Sequence, residues 1–244
     1  MNKIPTLLLL ALVAASCGDS GSGPSGATTN IAVTLPSVLK IGETAQATAI
    51  ATTSGGGGKP LSVGWRSDSP LVATVDNTGM VTGVTNGLAN IFIVSDGVSG
   101  TKSLRVVPNY QGQWAGGFTT SAATPFPSDA YQHMCAGFVP QTTLLLTMTF
   151  TQNGQAVNGQ FIASGLVPSS FTSLVNGDGG IDIRASNTTN PFQYDFTWRI
   201  AAPSTSGSFG FMRGTVSIAR TGSAGLVGGC NIEASSVALN KTSG

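Results

Sequence analysis

The chain has 244 residues and a formal net charge of +1; 9% of its residues are charged and 41% are apolar. So small a net charge gives no field to concentrate a phosphate backbone, which excludes nucleic acid as an expected partner, and apolar residues in patterned runs exclude a disordered chain. The 33 glycines and 56 serines and threonines describe a β-rich composition, and the length suits one or two domains.

The chain opens with a positive charge at Lys3, and Leu7 to Ala15 form an apolar run too short to cross a bilayer, as in a cleaved export signal over residues 1–16. The run leads through Val13-Ala14-Ala15-Ser16 into Cys17 and resembles the bacterial lipoprotein signal, with Ala14 where Leu is commoner. The resemblance implies that Cys17 is lipidated and becomes the mature N-terminus; ordinary secretion with cleavage nearby is the alternative. Several acyl chains would anchor the protein firmly, since each buried CH₂ contributes about 0.8 kcal/mol. By the sorting rules of such lipoproteins, Gly18 rather than Asp after the cysteine implies the outer membrane of a bacterial envelope. Residues 18–29 cannot bury anything and read, with Cys17, as a flexible tether reaching at most about 40 Å. Gly18-Asp19-Ser20-Gly21 spells the surroundings of a serine nucleophile, but it lies in the tether and no His precedes it to act as base.

From Ile31 the pattern changes to short β-type runs separated by turn residues, as in a small sandwich of about seven strands over residues 30–107. Lys40-Ile-Gly-Glu-Thr44, Val63-Gly-Trp65-Arg-Ser-Asp-Ser-Pro70, Leu71-Val-Ala-Thr-Val-Asp76 and Asn77-Thr-Gly-Met-Val-Thr-Gly-Val84 follow in order. Together they resemble the bacterial Ig-like domain, group 2, across this whole segment. The resemblance implies spacing, adhesion or surface display. Trp65 reads as the core plug of the sandwich, with sugar stacking the alternative. Asp68, Asp76 and Asp96 are expected to cap turns. Ser54 to Pro60 reads as a long flexible loop; it is not a phosphate loop, because Pro60 follows Lys59 where Ser or Thr is needed.

Residues 109–244 again lack any sustained 3.6-residue period and read as about eight strands in meander order, an up-and-down barrel with a second sandwich as the alternative. Leu144 to Thr151 alternates, Asn153-Gly154 turns the chain, and Tyr194 to Ile200 alternates for seven positions. Gly112-Gln-Trp114, with the run from Asn153 to Phe161, resembles the opening and the second hairpin of lipocalin and avidin barrels. That resemblance implies a late Arg over the first Trp, with Arg213 and Arg220 in line for it. It also admits one small apolar ligand inside the barrel, bound among Trp114, Tyr194, Trp198, Phe209 and Phe211; plain core is the preferred reading of these aromatics, because alternation by itself reports burial.

With Cys17 lipidated, Cys135 and Cys230 remain as an even pair in an exported domain and are expected to form a disulfide joining the loop after the first barrel strand to the last strand. His133 is the sole imidazole, in the stretch holding Asp129 and Tyr131, and lacks the further ligands a zinc site needs. Asn176 to Asp182 alternates oxygen donors in the manner of a calcium loop, but Asn187 stands where the acidic twelfth ligand belongs, so a hairpin turn is expected. Asp195 and Glu233 lie on separate strands, with no separation readable for a glycosidase pair. No catalytic residue, metal or cofactor is therefore expected, and the chain reads as a non-enzyme. The reading is a lipid-anchored envelope protein whose Ig-like module displays a barrel for adhesion to, or binding of, protein or glycan; capture of a small apolar ligand in the second domain is the alternative.

Overall fold

The computed structural model describes residues 26–126, 135, 138–166, 168–189, 192–206, 209–222 and 228–243. The export signal, Cys17 and most of the tether lie outside the described residues, as do Asp129, Tyr131 and His133. The regular elements are strands throughout, and among the described residues no helix is long and apolar enough to cross a membrane.

The first half is the Ig-like sandwich. It holds β1 (Thr28–Thr34), β2 (Val38–Lys40), β3 (Thr44–Gln46), β4 (Thr48–Thr53), β5 (Gly58–Leu61), β6 (Trp65–Ser67), β7 (Ala73–Val75), β8 (Met80–Gly83), β9 (Gly87–Ser95) and β10 (Val98–Val107). One sheet runs β2-β10-β9-β6; the others are β1-β4-β5 and β3-β8-β7. There are ten short strands where about seven were expected, partly because β3 and β4 are parted at Ala47, whose N–H donates to the Gly79 carbonyl at 2.8 Å. Trp65 is buried at 6% exposure among Ile31, Leu39, Ile91, Ile93 and Leu104, the core position expected of it.

Three details correct the sequence reading. The sandwich starts at Thr28, so Thr28 and Thr29 are strand and not tether: the Thr28 Oγ1 and N–H both donate to the Asp96 carboxylate, at 2.7 and 3.3 Å. Ser54 to Pro60 forms a hairpin, closed by Thr53 N–H on Gly57 O at 3.0 Å and continuing into β5, where Lys59 and Pro60 blunt a sheet edge. Asp76 does cap its own turn, accepting from Thr78 and Met80, but Asp68 instead holds Asn90 across the sheet and Asp96 holds the first strand. These hydrogen bonds keep all three carboxyls below their ordinary 3.8: those from Asn90 to Asp68, from Thr78 and Met80 to Asp76, and from Thr28 to Asp96.

The second half contains β11 (Gly112–Thr119), β12 (Ala122–Phe126), β13 (Thr143–Asn153), β14 (Ala156–Ala163), β15 (Ser169–Leu174), β16 (Ile181–Thr189), β17 (Phe192–Ile200), β18 (Ser204–Ser206), β19 (Phe209–Gly222) and β20 (Gly229–Ser243). Eight of them follow the order β15-β14-β13-β11-β20-β19-β17-β16, all antiparallel; β12 extends along β20 past the end of β11, and β18 lies on β19. This is the up-and-down order the sequence suggested, and it makes a nearly closed barrel. The one seam is between β15 and β16, where the ladder among the described residues is the single bridge Val175–Ile181. Alternation puts Thr147, Thr149 and Thr151 outside and Leu146, Met148 and Phe150 inside along β13.

The domains stand end to end. The first strand is tied at Asp96, in the Asp96-Gly97 turn between β9 and β10, while β10 delivers the chain at Val107 to the barrel, ten residues and roughly 30 Å away. Both turn residues have positive φ, as a two-residue hairpin of this hand requires. Val107 and Tyr110 belong to the barrel core, so the connection is buried on its barrel side.

Candidate functional site

The barrel interior is an aromatic stack. On β17, Tyr194, Phe196 and Trp198 point inward one above another, with centroids 6.2 and 6.3 Å apart and planes nearly parallel. Phe161 of β14 meets Phe196 and Trp198 edge-on at 4.9 and 5.1 Å, and Phe118 of β11 closes on Trp198 at 5.6 Å. Trp114 and Trp198 are 1% and 0% exposed and Tyr194 is 7%. Three of the five residues named for ligand capture therefore pack in the core, most of their area spent on neighbouring protein.

Phe211 corrects that group. It is half-buried on the outer side of β19, beneath the Arg213 guanidinium at 4.9 Å. The inward place falls to Gly210, where a Cβ would stand 2.7 Å from the Trp114 ring, so only glycine fits. Phe209 begins β19; its side chain lies outside the described residues. Neither arginine covers Trp114: Lys241 does, with Nζ 5.8 Å from the ring, because Trp114 and Lys241 are register partners, while Arg220 pairs with Cys230 toward the other end. The Trp114 indole N–H donates to Tyr110 O at 2.8 Å.

Cys135 and Cys230 are bonded, with Cα atoms 5.2 Å apart, at the barrel end remote from the sandwich. The bridge connects the segment after β12 to the start of β20, as the cysteine count indicated. The same segment tucks Phe138 into the core and is held by Thr120, whose Oγ1 donates to Val139 O at 2.5 Å and whose carbonyl accepts from Gln141 N–H at 2.8 Å. Beside it the Arg220 guanidinium, 5% exposed, lies 4.0 Å over the Phe192 ring with Phe138 at 5.9 Å. That buried cation among aromatics was not reached from sequence; its sign is a charged residue at an inward position of an alternating strand.

On the outer wall a shallow groove of about 320 Å³ is lined by Ser121, Thr197, Arg199, Ser217 and Glu233. It follows the irregularity in the β19–β20 ladder, where Ser235 and Ser236 of β20 carry the extra residue, and the bend where Ser121 N–H and Oγ donate to Glu233 O. Asp195 is outside as well, accepting from Ser186 Oγ at 2.6 Å. Asp195 and Glu233 lie on β17 and β20 with β19 between them, their backbone positions offset by two residues. Asn176 to Asp182 is a turn closed by Asn176 N–H on Gly180 O, with the Asp178 carboxylate accepting from Gly180 N–H.

At the domain junction a polar cleft of about 480 Å³ lies between Ser37, Val38, Lys40 and Glu43 of the sandwich and Asn153 and Gln155 of the barrel. Gln152, buried, ties the connection, its amide donating to Pro108 O at 2.9 Å and accepting from Tyr110 N–H at 2.7 Å. The Tyr110 hydroxyl donates to Gly179 O at 2.7 Å; burial first, and then the Asp178 carboxylate, push it well above its ordinary 10, so it stays protonated as a donor.

Fold and surface together define an all-β protein of two units, an Ig-like sandwich carrying a barrel. Residues 27–106 match the family model of the bacterial Ig-like domain (group 2), a module of the cell-surface, adhesion type that occurs in bacterial surface proteins. Comparison with curated proteins found no match.

Proposed function

We propose that this is a lipid-anchored protein of the bacterial outer membrane, in which the Ig-like module holds the barrel away from the bilayer for adhesion to protein or glycan. The observation that carries the reading is the end-to-end order. The tether joins the sandwich at the Asp96 end, the barrel leaves from the Val107 end, and the disulfide-pinned mouth is farthest from the anchor, roughly 50 Å beyond Thr28. That is the geometry of a stalk. The work is tethering and binding rather than catalysis, and the surfaces offered are hydroxyl-rich walls and polar clefts, suited to hydrogen-bonding partners. The mutually packed rings of Phe118, Phe161, Phe196 and Trp198 favour this over capture of an apolar molecule inside.

The test has two arms. Metabolic labelling with a radioactive fatty acid followed by membrane fractionation should place label and protein together in the outer membrane, and Cys17→Ala should remove both. Label surviving in Cys17→Ala would overturn the anchor. The two-domain chain, immobilised and exposed to envelope extract, should retain specific glycans or proteins; retention of extracted lipid alone would overturn adhesion in favour of capture.

A further inference from the structure

The barrel's weak line starts at the sandwich. Beyond the Val175–Ile181 bridge, β15 and β16 are joined among the described residues by side chains: Ser173 Oγ donates to Asp182 O at 2.6 Å, and Asn187 Nδ2 donates to Pro168 O and Ser169 Oγ at 3.1 and 3.0 Å. Everywhere else on the eight-strand path a backbone ladder does this work. Val38 of the sandwich packs against the barrel core, but the turn from which both seam strands diverge, Asn176 to Gly180, is where the Ig-like domain holds the barrel by side-chain hydrogen bonds. The Arg105 guanidinium donates to Asn176 O at 3.0 Å and to Gly177 O at 2.9 Å, and reaches Asn86 Oδ1 at 3.5 Å; Asn86 Nδ2 donates to Gly177 O at 3.3 Å. Gly179 completes the fit: it has φ +86, and a Cβ there would stand 3.1 Å from both Asn86 and Pro108. From the barrel side, Tyr110 holds the same turn through Gly179 O.

We infer that the end face of the Ig-like domain is a clasp for the barrel seam, with Arg105 and Asn86 as its gripping residues and the β15–β16 turn as its partner surface. A charged donor on two carbonyls of one turn fixes the separation at which the two strands leave it, and the side-chain links along the seam then follow in register. The module is thus a stalk that also keeps its cargo shut, and undocking the two units loosens β15 and β16 before the rest of the barrel.

Hydrogen exchange read by mass spectrometry on the intact two-domain chain tests this. Arg105→Gln should speed exchange in Ser169–Leu174 and Ile181–Thr189 by about tenfold, as expected for losing charge-assisted bonds, while β11, β13 and β20 keep their protection. Asn86→Ala, which leaves the Arg105 bonds to carbonyls in place, should give a smaller change in the same two segments. Unchanged exchange at the seam in both variants, or acceleration spread evenly over the barrel, overturns the clasp. Should Arg105→Gln fail to fold, Arg105→Lys, which keeps the charge but lacks the planar fork that reaches both carbonyls, must still speed exchange selectively at the seam for the inference to stand.

Discussion

Removing the Cys135–Cys230 bridge should be among the most damaging changes to the barrel that leave its core side chains intact. The cysteines are 95 residues apart. On the chain-entropy account a closed loop of that length restricts the unfolded ensemble by about 4.7 kcal/mol, an upper figure since any native cost subtracts from it. The hydrogen bonds that hold the same segment are worth less: Thr120→Ala removes the hydroxyl bond to Val139 O and Thr142 O, both of which still accept a backbone N–H, and costs about 0.5 to 1.5 kcal/mol. The double variant Cys135→Ser, Cys230→Ser should therefore lower the urea midpoint of the barrel by about 2 M at a slope of about 2 kcal/mol per M, several times the effect of Thr120→Ala alone. Tryptophan fluorescence follows it, with Trp114 and Trp198 reporting the barrel and Trp65 the sandwich, whose transition should stay put. A midpoint moving by less than about 0.3 M in the double variant would refute the reasoning, because closure would then rest on Thr120, Gln141 and Phe138 and not on the covalent link.

Trp198→Ala, which empties the centre of the aromatic stack, should cost about 3 to 5 kcal/mol in the barrel transition, whereas Trp198→Phe should cost less than about 1.5, since the buried Trp198 indole N–H has no hydrogen-bond partner among the described residues and its loss leaves none of them unsatisfied. Thermal melts from pH 5 to pH 2 should show the sandwich weakening in acid. Asp68, Asp76 and Asp96 are held below 3.8, so their contribution is full above that value and lost as pH falls beneath it, and replacing all three by Asn should flatten the limb. Tyr110 gives the opposite sign. Its hydroxyl is raised above 10, so its stabilisation is intact below pH 10 and declines above it, and Tyr110→Phe should remove the alkaline loss in the same melts while lowering stability at neutral pH.

Two-residue alternation carried most of the second domain in the sequence. Tyr194 to Ile200 reads inward and outward correctly along β17, because a barrel wall has one dry side and every second residue must face it. Alternation keeps its phase along β19, where Gly210, Met212, Val216, Ile218 and Arg220 are the buried positions; Gly210 takes the place beside Trp114 and Phe211 faces outward, while the extra residue lies in β20 at Ser235 and Ser236. An aromatic spacing of two residues, Phe209 and Phe211, looks the same whether the inward partner is the ring or the glycine between. What decides it is the Trp114 ring on a strand almost a hundred residues away, and pairing at that range has no local trace.

The junction was hidden for a related reason. Arg105, Asn86, Gln152 and Tyr110 sit on strands, turns and a connector whose local patterns are complete without them, and each has an ordinary surface or core reading in its own domain. Their shared role arises because β10 runs straight into the barrel: Val107 is already part of its core, Pro108 gives its carbonyl to Gln152, and three residues after the last sandwich strand Tyr110 is buried against Phe150. A connection that short leaves no freedom for the barrel to turn away, so the arginine two residues before the end of β10 must meet whatever turn the barrel presents. The barrel presents the one turn from which its unladdered strands depart, Asn176 to Gly180, with carbonyls facing out. A guanidinium at that place on β10 and a seam at that place on the barrel have no local reason to coincide, and one gripping the other supplies it.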